Sequence, residues 1–195
     1  TADRLGAEQR AYVHKYFQEE VQPKLQRQSC DQEVPFLENR QPYFILEFEE
    51  EQLWEVLNIP SNELPRFLTI PTEAEGHYLI YLDDVIRLGL PDFLGREDVK
   101  AYSVKVSRDA ELYIDDEYSG DLLEKIKSSL ANREGGLPTR FLYDQSIPKE
   151  LLKQVRKTLG LSKYDLIPGS RYHNFNDFFG FPDPSDNPKL HDEDW

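Results

Sequence analysis

The chain of 195 residues contains no methionine and only one cysteine, Cys30. A single thiol excludes an intrachain disulfide and is typical of proteins from a reducing compartment. The absence of methionine leads us to expect a piece of a longer polypeptide. No apolar run approaches the roughly 18 residues that a transmembrane helix needs, and the first residues do not have the pattern of a signal peptide. We therefore expect a cytoplasmic protein.

Positive charge is also scarce in this sequence. Lys and Arg number 23 against 37 Asp and Glu, which gives a formal net charge of −14. Such a surface repels nucleic-acid phosphates and anionic lipids, so binding to either is a poor hypothesis. Aromatic residues, in contrast, are plentiful, with 11 Phe and 11 Tyr. Apolar content is sufficient for a folded core.

The order of hydrophobic patterns predicts an α+β fold. Val13, Tyr16, Phe17 and Val21 recur at helical spacing and predict an N-terminal amphipathic helix over 9–22. An acidic turn between two apolar segments predicts a β-hairpin. Further strands and helices alternate, so we expect a mixed β-sheet with helices packed on it. The predicted strands are 43–48, 53–59, 67–70, 77–81, 101–106, 110–114 and 140–143, and the later helices begin at Asp83, near Asp121 and at Pro148.

One domain is expected over residues 1–182. Residues 183–195 form an acidic, proline-containing C-terminal tail, which we interpret as the start of a linker.

The densest group of polar and aromatic residues lies in the segment 171–182. It places Arg171, Tyr172, His173, Asn174 and Asp177 among four phenylalanines. One hypothesis is a ligand-binding or interface corner, in which Arg171 holds an anion and His173 carries a proton or binds a ligand. The alternative is a packed corner, in which Arg171 pairs with Asp177 and the rings fill a core.

A second group surrounds Arg108. Asp109, Glu111 and Asp115 follow it closely, and carboxylates of this kind hold Mg²⁺ in many phosphate-handling sites. The spacing does not match an EF-hand loop, and a strand–turn–strand with solvated charges explains the same residues. The sequence also lacks histidine spacings typical of zinc sites and both standard glycine-rich nucleotide loops.

Several ordered motifs resemble bacterial polyphosphate kinase of the first class. The segment Arg171-Tyr172-His173-Asn174-Phe175, followed by Asp177-Phe178 and Phe181-Pro182, resembles the R-Y-H-N-F-x-D-F-x-x-F-P signature of that family. The segment 107–111 resembles its T-R-D-A-E motif. Segments 64–67, 82–87 and 140–144 match in the same order, so the resemblance covers nearly the whole chain.

The resemblance implies the middle, or head, domain of that family. The full-length enzyme would transfer the terminal phosphate of ATP reversibly to polyphosphate through a phosphohistidine, with Mg²⁺. Its nucleophile lies in an H-x-K motif, and no histidine of this chain precedes a lysine at that spacing. No catalytic residue of the family therefore maps onto this chain, and the fragment is expected to bind no cofactor and to be inactive alone.

The implied partners are the N-terminal helical and C-terminal catalytic domains of the same polypeptide, and the full-length enzyme is expected to be a homodimer or larger. A position at the inner face of the membrane is compatible with this family. Tyr12, Tyr16, Trp54 and Phe179 are candidate interface rings, although each is also a candidate for the core.

Two other functions stay open from the residues. A Mg²⁺-dependent phosphohydrolase would use Asp109, Glu111 and Asp115. A regulatory module would bind phosphate or polyphosphate through Arg171 and His173.

Overall fold

The computed structural model describes residues 5–30, 33–48, 51, 53–72, 76–108 and 138–183. Its contacts divide the chain into two compact units. The helix unit comprises Thr1–Gln26, Ile59–Val99 and Asn174–Trp195, and the sheet unit comprises Arg27–Asn58 and Lys100–His173. The chain therefore passes from one unit to the other between His173 and Asn174, inside the signature segment.

The sheet unit is built on a six-stranded mixed sheet, as the α+β prediction requires. Its strands are β1 (Arg27–Ser29), β2 (Pro42–Phe48), β3 (Leu53–Asn58), β6 (Val99–Arg108), β7 (Pro138–Asp144) and β8 (Leu166–Gly169), and helix α3 is Lys149–Thr158. The order of these strands in the sheet is β1-β3-β2-β6-β7-β8. Pairs β1–β3, β2–β3 and β6–β7 are antiparallel, whereas β7 and β8 are parallel and are joined through α3.

Strand β2 lies inside this sheet and is buried on both faces. Six of its seven residues are buried, and Phe44, Ile45 and Leu46 are fully so. A strand covered on both faces has a continuous apolar sequence rather than an alternating one. The predicted hairpin of β2 and β3 is confirmed, with Ile45 opposite Val56. Trp54 is part of the core cluster of this unit, so it is a core residue and not an exposed interface ring.

Both edge strands of the sheet were absent from the sequence prediction. Strand β1 has the polar sequence Arg27-Gln28-Ser29, and β8 contains Pro168 and Gly169. Edge strands pair on one side only and are commonly short, charged or proline-containing. The apolar pattern of these two segments is therefore too weak to predict a strand. They form strands because β3 and β7 provide their hydrogen-bonding partners.

In its described residues the helix unit contains two α-helices, a two-stranded sheet and short π and 3₁₀ turns. Strands β4 (Phe67–Ile70) and β5 (Tyr78–Tyr81) pair antiparallel, and α2 (Leu82–Leu94) follows β5 directly. Helix α2 ends at Gly95, whose φ of 68° is left-handed. Asp83 and Asp84 lie in the first turn of α2, but no side chain caps this helix. Both carboxylates are buried instead.

The N-terminal helical segment covers the predicted range 9–22 but changes its winding along its length. Helix α1 is Ala7–Tyr16, a π-helical turn spans Phe17–Val21, and a 3₁₀ turn spans Gln22–Lys24. Val13, Phe17 and Val21 are buried at four-residue spacing. At 3.6 residues per turn such residues drift by about 40° at each step. The wider π turn offsets this drift and keeps all three on the buried side.

Several predicted elements lie outside the described residues. These are the strand 110–114, the helix from Asp121 and most of the acidic tail. The helix opened by Pro148 is confirmed and ends before Gly160, whose φ is 65°. Each described helix is too short or too polar to cross a bilayer.

Gly89 of α2 permits a close approach to the π turn. A Cβ at this position would lie 2.3–2.4 Å from ring carbons of Phe17, which is fully buried. We expect Gly89→Ala to lower the free energy of unfolding by about 1–2 kcal/mol, because overpacking outweighs the helix propensity of alanine. Urea unfolding followed by circular dichroism measures this loss.

Gly180→Ala is the matched control in the same unit. A Cβ at Gly180 meets no atom within 4 Å, so the expected change is within about 0.5 kcal/mol. Equal stability of both variants would contradict the close packing of Phe17 on Gly89.

Candidate functional site

The first part of the signature segment packs within the sheet unit. His173 is 7% exposed, and its Nε2 lies 2.9 Å from the main-chain oxygen of Ser103 on β6. A carbonyl oxygen only accepts hydrogen bonds, so Nε2 carries the hydrogen. The Ser103 hydroxyl in turn donates to the main-chain oxygen of Arg171 at 2.8 Å. The imidazole thus fixes the end of this segment to the sheet.

Strand β8 contributes to this arrangement through Gly169. A Cβ at Gly169 would lie 2.9 Å from Leu142 Cδ1 and 3.1 Å from His173 Cε1. The absence of a side chain there leaves room for the imidazole. The proton-carrier hypothesis for His173 therefore has to use Nδ1, because Nε2 is already occupied by Ser103.

The second part of the segment lies in the helix unit and is held by a buried ion group. Arg66 Nε donates to Asp177 Oδ2 at 2.7 Å, and Arg66 Nη1 lies 2.7 Å from Asp83 Oδ2. The side chains of Arg66 and Asp83 are 5% and 1% exposed. The Nη1 contact is an ion pair, and Nη1 and Nη2 have no hydrogen-bond partner in the described residues. We call these three residues the Arg66 triad.

The electrostatics of the triad reflect its burial. Burial raises the pKa of Asp83, while the charges of Arg66 and Arg87 act in the opposite direction. Burial and then the Asp83 carboxylate raise the pKa of Tyr81. Arg87 also pairs with Asp84 at 3.3 Å. A buried carboxylate is tolerated only with a partner, and here each has a guanidinium nearby.

Asn174 orients the carboxylate of Asp177. Its φ of 82° is left-handed, which asparagine tolerates better than most side chains. Its Nδ2 donates to Asp177 Oδ1 at 2.5 Å, and the Asp177 amide donates to the main-chain oxygen of Asn174 at 3.0 Å. The packed-corner alternative named Arg171 as the partner of Asp177, and the structure shows Arg66 and Asn174 in that role.

The phenylalanines of the segment are only partly packed. Phe178 and Phe181 lie 5.5 and 4.9 Å from the ring of buried Phe67. Phe175 and Phe179 are 88% and 95% exposed. Phe179 is thus exposed, and its role as an interface ring stays a prediction. Phe178 and Phe181 cover a buried ring with one side and remain half-exposed, so the alternative that the rings fill a core holds for none of them completely.

Arg108 lies elsewhere, near the end of β6. Its Nε and Nη2 donate to the main-chain oxygen of Leu37 at 3.2 and 3.0 Å. The guanidinium carbon is 4.7 Å from the centre of the Phe36 ring. Burial lowers the pKa of Arg108. Asp109, Glu111 and Asp115 lie outside the described residues, so the proposed carboxylate cluster stays a prediction.

The structure thus brings together Asn174 and Asp177, and it links His173 to Arg171 through Ser103. The sequence analysis gave no site role to Arg66, Asp83 or Ser103. A signal was present for the first two, since charged residues inside apolar segments need a buried partner. Among the described residues no group of three His, Cys, Asp or Glu side chains is placed to hold a metal ion.

Comparisons with known proteins agree with the sequence resemblance. A family model described as the polyphosphate kinase middle domain matches residues 8–181. The polyphosphate kinase of Vibrio vulnificus strain YJ016 is 37% identical over 191 residues, which cover 91% of this chain and 27% of that protein. The polyphosphate kinase of Escherichia coli K12 is 36% identical over 182 residues, covering 89% of this chain and 26% of that protein.

A solved structure shows the same fold. The crystal structure of polyphosphate kinase from Porphyromonas gingivalis superimposes with a TM-score of 0.71 at 26% identity. The match covers 92% of this chain and 26% of that one. The chain therefore spans about a quarter of the length of the proteins it matches.

Breaking the Arg66 triad is expected to be costly. We expect Arg66→Met to lower the free energy of unfolding by about 3–5 kcal/mol, because it leaves two carboxylates without their buried counter-ion. The matched control is Arg27→Met, which removes a bidentate but half-exposed pair with Glu55 and costs at most about 1 kcal/mol. Equal losses in chemical unfolding would contradict a central role for the triad.

The titration of Asp83 tests the electrostatics directly. Its carboxyl carbon, followed by NMR, is expected to titrate with a midpoint above 3.8, because burial favours the neutral form. The folded state then binds the proton more tightly, so this contribution to stability is fully present below the unfolded pKa and is lost as pH rises through the folded pKa. Asp98, whose pKa is lowered by a hydrogen bond from Arg96, is the control with a midpoint below 3.8.

Proposed function

The chain belongs to the polyphosphate kinase family, and we propose that it acts as the structural middle domain of an enzyme whose other domains perform the chemistry. The full-length protein would transfer the terminal phosphate of ATP reversibly to polyphosphate through a phosphohistidine, with Mg²⁺. In this proposal residues 1–182 are the middle domain, and residues 183–195 begin the linker to the catalytic half. The enzyme would work in the cytoplasm.

One observation carries the structural role. Two titratable residues of the signature segment have their partners within their own units: His173 donates to the Ser103 carbonyl, and Asp177 accepts from Arg66 and Asn174. Nucleophiles and general acids need access to substrate. His173 is almost fully buried, and its Nε2 already donates to the chain. These groups support a role in holding the fold rather than in reaction.

Charge supports the same assignment. Phosphoryl transfer depends on cations that meet the charge of the moving group, whereas this chain has a net charge of −14. A negatively charged surface repels a polyanion such as polyphosphate. We assign ATP and Mg²⁺ to the domains on either side.

The test compares this chain with its full-length parent. Each is incubated with ATP, Mg²⁺ and a polyphosphate primer, and phosphate transfer and phosphohistidine are measured. We expect turnover and a phosphohistidine in the parent, and neither in this chain, because this chain has no histidine in an H-x-K motif. Turnover by this chain alone would overturn the structural role.

The regulatory alternative rests on Arg171, whose side chain is exposed. A thermal-shift titration of this chain with polyphosphate separates the two functions. A ligand that binds the folded state raises the melting temperature. The structural role involves no polyphosphate binding by this chain, so it predicts an unchanged melting temperature. Stabilisation that is lost in Arg171→Ala, but not in the distant control Arg27→Ala, would favour the phosphate-binding module.

A further inference from the structure

A surface of four phenylalanines stands out in the helix unit. Phe175, Phe178, Phe179 and Phe181 are 88%, 49%, 95% and 48% exposed, all within seven residues. We call this surface the phenylalanine patch. At about 200 Å² for each fully exposed ring, it presents roughly 500 Å² of aromatic surface. A patch of that size on a soluble protein usually marks an interaction site.

The local fold holds these rings outward. Residues Phe175–Gly180 form a 3₁₀ helix, in which side chains three apart lie above one another. The ring centres of Phe175 and Phe178 are accordingly 6.0 Å apart, and those of Phe178 and Phe181 are 6.1 Å apart. The patch is therefore an ordered row of rings rather than a set of scattered apolar residues.

The base of the row is fixed by the core. Phe67 is 6% exposed and contacts Phe178 and Phe181 from below. The neighbouring Arg66 holds Asp177, which lies within the same 3₁₀ helix. A pre-formed surface loses little conformational entropy on binding, which favours a specific interface. The Arg66 triad thus positions the patch for a partner.

We propose that the phenylalanine patch is the docking surface for another domain of the same polypeptide, one with an apolar centre and a basic rim. This inference rests on the proposed function, in which the chain is one domain of a longer enzyme. The matched relatives are more than three times as long as this chain. The patch also lies at the end of the match to the family model, at residue 181.

Charge selects between this occupant and a second copy of the chain. The whole chain carries a net charge of −14. Two copies of such a chain repel each other, whereas a basic rim on the partner is complementary. A standard interface buries about 800 Å² on each side, so the patch would supply its apolar centre.

Hydroxyl-radical footprinting of the full-length parent tests this inference. The oxidation rate of each ring is divided by its rate in the urea-unfolded polypeptide. If Phe175 and Phe179 stay as exposed in the parent as they are in this structure, the ratio of the two oxidation rates is near one. If the patch is docked, we expect this ratio to fall by at least about tenfold. A ratio near one for both rings overturns the inference.

Dilution identifies the occupant. At a concentration where light scattering shows the parent to be monomeric, protection that persists supports a domain of the same polypeptide. Protection that disappears with the oligomer overturns this occupant and assigns the patch to a second copy.

A variant pair completes the test. In the full-length parent, Phe179→Ser is expected to increase the oxidation of Phe175 severalfold, whereas the control Tyr164→Ser, which changes a ring that is 83% exposed outside the patch, leaves it unchanged. An unchanged Phe175 in both variants counts against the docking surface. Phosphate transfer by the unaltered parent is measured separately, so a failure of the proposed function and a failure of the docking surface are distinguishable.

Discussion

The buried contact of one guanidinium with two carboxylates constrains the whole helix unit. Arg66 comes just before β4, Asp83 lies in the first turn of α2, and Asp177 lies in the C-terminal 3₁₀ helix. Three segments distant in sequence must therefore meet at one point before both carboxylates are paired with the guanidinium. Buried ion pairs add little net stability compared with apolar packing, but leaving one partner alone is costly. The triad consequently selects one arrangement of these segments over competing ones.

This constraint explains why a segment with catalytic-type residues can have a structural task. Arg, His, Asn and Asp are common in active sites because they carry charge and exchange protons. The same properties make them effective in fixing a chain, provided that their partners are buried. Asp177 has its two partners in the helix unit, and His173 has its partner on β6. The signature is divided at the point where the chain changes units, and each half is fixed in its own unit.

Sequence alone predicted the elements whose patterns are strong and local. The hairpin of β2 and β3, the strand β4 and helix α3 follow from apolar periodicity and from turn residues. It did not predict β1 and β8, because an edge strand depends on its neighbour and not on its own residues. The Arg66 triad was missed for a related reason. Arg66 and Asp83 are 17 residues apart, and Asp83 and Asp177 are 94 residues apart. No local sequence pattern predicts that these three buried charges pair with one another.

The exposed rings of the phenylalanine patch and the negative net charge of the chain are both explained by docking to a partner. A chain that needed only to stay folded and separate would not keep four phenylalanines in water, since their transfer from water is favourable. A second copy of the chain carries the same net charge of −14, so electrostatics oppose self-association through these rings. A partner that is apolar where it meets the rings and basic around them satisfies both features, as the docking proposal requires.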